Sequence, residues 1–340
     1  HMLRHFRKTT GETRLCLSGG VALNSSLNGK ILLSGLFDQV FVHPASHDAG
    51  CALGAAIDAH RTLCPNIPVG KLNHLFLGKD IGDIPSVCAG IERWRPLVTV
   101  EHLENPCATA AQMLANGKVI GWVQGRSEFG PRSLGNRSIL ADPRPAENMT
   151  RINKMIKKRE GYRPFAPSVL AQHVEEYFDV PPGATELPYM ICVVPVRSEK
   201  RALLGAVTHV DGTARVQTVT YLQNKRYFKL IEAFEECTGV PVLLNTSLNN
   251  NAEPIVDTLD EAIACYLTTG LDALFLGDFL ITRANEDWTG LSEMAVVVPD
   301  TVAVQHVDKS TGKNKRTQSR ELVTLASNGR RRQVSEETWK

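Results

Sequence analysis

Between Arg126 and Arg163 the chain sets ten Arg or Lys against four Asp or Glu, although its formal net charge is only +2. The cations are Arg126, Arg132, Arg137, Arg144, Arg151, Lys154, Lys157, Lys158, Arg159 and Arg163, interleaved with Gly130, Pro131, Gly135, Pro143, Gly161 and Pro164. A solvated basic helix is usually rich in Lys and poor in breakers. Arg on turns shaped by Gly and Pro points instead to guanidinium forks held at fixed angles, as phosphate and carboxylate oxygens require. A site for a small polyphosphate or acyl phosphate is the preferred reading. A solvated basic face and a nucleic-acid groove are its alternatives.

Three other stretches carry polar chemistry. Asn245-Thr246-Ser247-Leu248-Asn249-Asn250-Asn251 follows an apolar run and suits either a turn network or a ligand cradle. Ser18-Gly19-Gly20 lies between a short apolar run and a helical pattern, where outward-facing backbone N–H groups favour an anion or nucleotide, though tight packing alone also explains such glycines. Asp48 follows the next strand. That junction is where α/β domains place functional carboxylates, and it is also a helix N-cap position. His43 and His47 are four apart, but Pro44 argues against the regular helix that would put them on one face. No Gly-x-Gly-x-x-Gly, Walker lysine motif, His-Glu-x-x-His or nucleophile elbow occurs in the chain. A dense set of cations with Ser, Thr and Asn turns suits electrostatic stabilisation of phosphoryl transfer rather than covalent catalysis.

The elements that must position these residues read as α/β. Leu15–Leu17 is a strand, followed by a helix to about Leu33. Gln39–His43 is a second strand and Cys51–Leu63 a helix. Residues 64–105 show little periodicity and read as a linker with a surface excursion, with a domain boundary near 95–105. Ala108–Ala115 is helical, Val119–Val123 a strand and Glu147–Lys158 a helix. Tyr189–Pro195 reads as a strand, and Ala214–Val219 as one alternating strand with Arg215 and Gln217 on a common face. Tyr221–Thr238 is an amphipathic helix closed by Gly239. Strands at Pro241–Leu244, Ala273–Leu276 and Phe279–Thr282 flank a helix at Thr258–Leu267. Beyond Pro299 the chain is polar and basic, either a small β-unit or a tail.

A chain of 340 residues with 43% hydrophobic and 22% charged residues can bury two or three domain cores. No apolar run approaches the roughly 20 residues that span a bilayer, and no signal peptide is visible. The eight cysteines include no Cys-x-x-Cys pair, which favours reduced thiols and a cytoplasmic location.

GRSEFGPRSLGNRSILADPR, NKMIKKREGYRPFAPSV and PVLLNTSLNNNAEPIV, in that order, resemble the C-terminal region of the NodU/CmcH-type O-carbamoyltransferases. The resemblance runs from about Leu15 to Arg283. It implies the second half of an actin-like ATPase-type domain at 13–95, a threonylcarbamoyl-AMP-synthase-like (YrdC-like) α/β domain at 105–290, and an extension at 300–340. It implies that the second domain makes carbamoyl adenylate from carbamoyl phosphate and ATP with Mg. The first would then pass the carbamoyl group to a hydroxyl of a small-molecule acceptor at a metal, Fe(II) or another divalent ion. By motif, Arg132, Lys157, Arg163, Arg215 and Ser247 would be catalytic. Arg126, Arg137, Arg159, Asn245 and Asn249 would complete the carbamoyl-phosphate and ATP pocket. Ser18, Gly19, Gly20 and Asn24 would line a nucleotide, and Asp48 would be a metal carboxylate. In the family an upstream lobe carries a His-x-x-x-His pair for that metal. His43 and His47 sit at the Asp48 loop and are not that pair, so the lobe is expected to be missing, cut away, or supplied by another polypeptide, as a partner chain or a dimer. The rival expectations are a nucleotide- or RNA-binding subunit that turns over only with a partner, and a threonylcarbamoyl RNA-modifying enzyme.

Overall fold

The computed structural model describes residues 1–284 apart from 71, 183 and 185, and beyond them four short strands at His306–Val307, Asn314–Lys315, Leu322–Leu325 and Arg331–Val334. The rest of the expected 300–340 extension lies outside the described residues.

The chain opens with helix α1 (Met2–Thr10), closed by Gly11 in the left-handed region. Strand β1 (Arg14–Leu17), helix α2 (Ser25–Leu33) and strand β2 (Gln39–Val42) then form a βαβ unit whose strands pair in parallel, Leu15 opposite Val40. Helix α3 (Ala49–Leu63) follows. The sheet of this first unit stops at two strands. Neither α1 nor α3 buries a residue, and Leu63 is 80% exposed and Phe41 48%.

The remainder is built on one eight-stranded mixed sheet. Its elements, in chain order, are α4 (Ile84–Glu92), β3 (Val98–His102), α5 (Pro106–Ala115), β4 (Ile120–Val123), β5 (Arg137–Ala141), α6 (Glu147–Met155), β6 (Ala166–Leu170), α7 (Val174–Tyr177), β7 (Val193–Pro195), β8 (Thr213–Arg215), β9 (Gln217–Val219), α8 (Lys225–Thr238), β10 (Val242–Ser247), α9 (Leu259–Thr268), β11 (Ala273–Leu276) and β12 (Phe279–Arg283). The spatial order is β3-β12-β11-β4-β5-β10-β6-β9, with β4–β11 and β6–β9 parallel and the other pairs antiparallel. Every residue of β4, β5, β6 and β11 is buried, so burial does not alternate along these strands. Helix α5 packs along α8, and α4 along α9.

Four expectations are corrected here. The supposed linker supplies α4 and the edge strand β3. Val87 and Ile91 of α4, Trp94 just after it and Val98 of β3 are all buried in the main core, and two buried helical positions are too few to stand out. Pro85 falls in the first turn, where a helix tolerates it, after the Asp83 cap. The stretch 214–219 is two strands in two sheets. β8 pairs with β7 and β9 with β6, so Arg215 and Gln217 do not share one strand face. The strand expected over 189–195 narrows to Val193–Pro195. Helix α6 ends at Met155, and Lys158 takes a positive φ of 44°, so Lys157 projects from a helix terminus rather than from a helical face shared with Lys154.

The first unit docks through α2. The Asn28 amide donates to Ala22 O (2.7 Å) and Ile191 O (2.9 Å). Gly29 approaches β7 so closely that a Cβ there would lie 1.8 Å from the Val193 carbonyl oxygen. Residues 75–81 then run along 125–129, joined by Phe129 N to Leu75 O, Gly78 N to Ser127 O, Ser127 N to Lys79 O and Ile81 N to Gly125 O.

Candidate anion site

The first part of the basic block, residues 124–136, folds into a loop that leaves β4 and returns as β5. Glu128 organises it. Its Oε1 accepts from the backbone N–H groups of Leu134 (2.6 Å), Asn136 (2.9 Å) and Arg137 (3.3 Å). The Gln217 amide donates to Leu134 O from the other side at 2.8 Å. Gly135 has φ of 110°, and a Cβ there would overlap the Tyr227 ring at 2.3 Å, so only glycine fits this turn.

Three guanidinium groups gather beside this loop. Burial holds Arg215 down to about 9, and the neighbouring Arg132 and Arg159 push it the same way. Burial likewise lowers Arg132, and burial followed by Arg163 lowers Arg159, with Glu160 opposing. Arg159 is aimed by a 2.7 Å bond from Nε to Asn153 Oδ1 and lies over the Phe165 ring at 5.0 Å. The Arg215 Nε is buried and has no hydrogen-bond partner among the described residues. Among the described residues no carboxylate pairs with Arg132 or Arg215. Clustered, desolvated and unneutralised cations are costly unless an anion joins them, so this arrangement is chemically suited to a polyanion.

Lys157 is next to them and 5% exposed. Its Nζ donates to Ser247 O (2.6 Å), Asn249 Oδ1 (2.7 Å), Asn249 O (2.9 Å) and Ser247 Oγ (3.2 Å). Burial pushes the ammonium down to about 7, while four oxygens at hydrogen-bond distance act in the opposite sense. The structure therefore joins Lys157, Ser247 and Asn249 from distant parts of the chain. Their mutual bonds already occupy the three donors of the ammonium.

Other expected residues are placed differently. Arg137 is fully buried and gives Nη1 to Gln124 O and Asn136 O, and Nη2 to Lys79 O, Gly125 O and Asp257 O, at 2.8–3.2 Å. It ties the loop, the 75–81 segment and the start of α9 together, with no fork left for a ligand. Arg126 donates to Gly78 O and Leu77 O. Arg163 is half exposed and pairs with Glu160 at 3.0 Å. Asn245 is buried and donates to Ser168 Oγ and Gln217 Oε1, behind the loop rather than in front of it.

In the first unit, Ser18, Gly19 and Gly20 are exposed, and Asn24 caps α2 by accepting from Leu27 N at 3.0 Å. Asp48 is exposed at the N-terminus of α3 and makes no capping bond there. Among the described residues no group of three His, Cys, Asp or Glu could hold a metal ion. Asp48 alone does not make a metal site. No helix among the described residues is long and apolar enough to cross a membrane.

Sequence reasoning missed Glu128, whose partners are backbone N–H groups that no motif advertises. It also missed a cavity of about 410 Å³ at the carboxyl ends of β4 and β11, walled by Gln124, Asn136, Arg226, Asp278 and Phe279. There Arg226 bridges Gln124 Oε1 (2.8 Å) and Asp278 Oδ1 (2.7 Å).

Comparison with known proteins adds to this geometry. Residues 111–283 match the family model described as Carbamoyltransferase C-terminus, and residues 2–57 match Carbamoyltransferase N-terminus. The chain is 49% identical over 342 residues to Nodulation protein NolNO of Sinorhizobium fredii, covering 100% of this chain and 50% of that protein. It is 54% identical over 295 residues to Nodulation protein NolO of Bradyrhizobium diazoefficiens, covering 86% and 54%. With 3'-hydroxymethylcephem-O-carbamoyltransferase of Amycolatopsis lactamdurans it shares 40% identity over 275 residues, covering 80% and 49%. The chain thus spans about half the length of these relatives.

Proposed function

The chain belongs to the carbamoyltransferase family, and from that premise we propose that its larger unit forms carbamoyl adenylate from carbamoyl phosphate and Mg-bound ATP. The observation that carries this reading is the buried Arg215, whose Nε has no hydrogen-bond partner among the described residues, set beside Arg132 and the Arg159 fork that Asn153 aims. In the proposed reaction water releases carbamate and inorganic phosphate from carbamoyl phosphate. A carbamate oxygen then attacks the α-phosphorus of ATP, and the bond to pyrophosphate breaks. Each adenylate thus accompanies one phosphate and one pyrophosphate. The guanidinium forks would hold the phosphoryl oxygens in line and meet the charge that builds on the leaving group. Mg, when bound, would neutralise the ATP phosphates.

Transfer of the carbamoyl group to a hydroxyl is the second part of the proposal. The name of the cephem relative supports a small hydroxymethyl acceptor. The actin-like identity of the first unit, and an iron or other divalent ion beside Asp48, belong to this part. The metal would need further ligands from a partner chain or a second copy. The open two-stranded sheet and the unburied α1 and α3 fit such a partner.

The test is AMP and pyrophosphate release from ATP, with and without carbamoyl phosphate and with no acceptor. Release is expected only with carbamoyl phosphate, and Arg215→Ala should lower it by about a hundredfold, the usual effect of losing one oxyanion donor. ATP binding without release would favour the second reading, a nucleotide-binding subunit that turns over only with its partner.

A further inference from the structure

We infer that Glu128 is a positioning residue for the anion site: it fixes the span that aims Arg132 at the phosphoryl group. The inference rests on the polyanion reading of the Arg132–Arg159–Arg215 cluster and adds a residue to it. One carboxylate oxygen of Glu128 gathers the N–H groups of Leu134, Asn136 and Arg137. Three backbone donors converging on one side-chain oxygen fix the chain direction over the four residues that lead into β5. The loop closed by these bonds contains Phe129, Gly130, Pro131, Arg132 and Ser133.

Each end of that loop is independently seated. Gly130, at φ of 120°, packs against Pro44 and Ala45 of the first unit, with room for a Cβ only at 3.6 Å from the Ala45 methyl. Gln217 holds Leu134 O, and Arg137 holds Asn136 O. Phe129 N donates to Leu75 O at 2.7 Å. Arg132 therefore projects from the middle of a short bridge whose two feet are fixed, one of them by Glu128. Among the described residues it has no hydrogen bond of its own to aim it, in contrast to Arg159, which Asn153 aims. Without the carboxylate, three N–H groups lose their acceptor and the loop loses the closure that presents the Arg132 fork.

Binding of inorganic pyrophosphate, followed by calorimetry on the full chain, tests this. Glu128→Ala should weaken binding about tenfold or more. Glu128→Gln keeps an acceptor oxygen and should stay within about threefold of wild type. In Arg132→Ala the further change Glu128→Ala should add less than about twofold, because the residue being aimed is gone. Melting temperatures recorded alongside separate folding from aiming. The inference is overturned if Glu128→Ala binds pyrophosphate like wild type, if the two losses multiply, or if wild type binds no pyrophosphate. Wild type that binds pyrophosphate but releases no AMP would remove the adenylate-forming reaction and leave the role of Glu128 standing.

Discussion

At Lys157 two physical effects oppose one another. Burial lowers the ammonium to about 7, whereas four oxygens between 2.6 and 3.2 Å favour the charged form. If burial wins, the unfolded chain holds a proton on this lysine between about pH 7 and its ordinary value of 10.5 while the folded chain does not. Stability then rises with pH across that window, at up to about 1.4 kcal/mol per unit. Lys157→Met removes the titration, so the urea stability of wild type relative to that variant should increase from pH 7.5 to 9.5. A flat difference would mean that the oxygens hold the ammonium throughout. The same oxygens explain why Ser247 and Asn249 occupy their observed places. Ser247 Oγ also donates to Asn249 Oδ1 at 2.7 Å, so loss of the lysine would leave chiefly the Ser247 and Asn249 carbonyls without their donor.

Among the elements, the turn before β5 is the most constrained. Gly135 combines a φ that other residues resist with a contact that leaves no space for a methyl. Gly135→Ala should therefore destabilise by at least about 2 kcal/mol, from backbone strain and displacement of Tyr227. It should also weaken pyrophosphate binding, because Arg132 lies on the same bridge. Thermal unfolding together with calorimetry checks both effects. An alanine variant that melts like wild type would show that the turn can relax without moving Tyr227. Helix α6 makes a related point. Its termination at Met155, followed by the positive φ of Lys158, turns Lys157 inward and carries Arg159 towards Asn153.

On the scale of the molecule, α2 couples the two units. Gly29 lets the helix backbone lie on the Val193 carbonyl, and Asn28 adds a bond to Ile191 O. A leucine at 29 cannot be placed without parting α2 from β7. Gly29→Leu should make the connection between α3 and residue 75 markedly more sensitive to protease while leaving the larger unit folded, since that unit has its own eight-stranded core. Limited proteolysis read by mass would show one protected fragment. Equal resistance in variant and wild type would argue against this docking. Among the described residues the cysteines are unpaired, and the three buried ones, Cys107, Cys192 and Cys265, contribute packing.

The sequence by itself determined the α/β class, most helices and the identity of the basic block. These features depend on local periodicity, caps and turn residues such as Asn24, Asn224 and Gly239, which act within a few positions of themselves. The polar cluster at Asn245–Asn249 and the cations at 132, 157, 159 and 215 were also legible as types suited to phosphate. Tertiary structure decided which of them face one another. Arg137 looks like Arg132 in sequence, yet five carbonyls from four separate segments consume it. Arg215 and Gln217 alternate as one strand would, yet sheet pairing separates them. Glu128 looked like one of a few acids in a basic stretch and became its organiser, because its partners are backbone groups with no side-chain signature. Helix α4 and strand β3 were hidden for a similar reason. Their burial comes from a sheet edge and from α9, contributed by residues more than 150 positions away, and no local pattern reports a partner that distant.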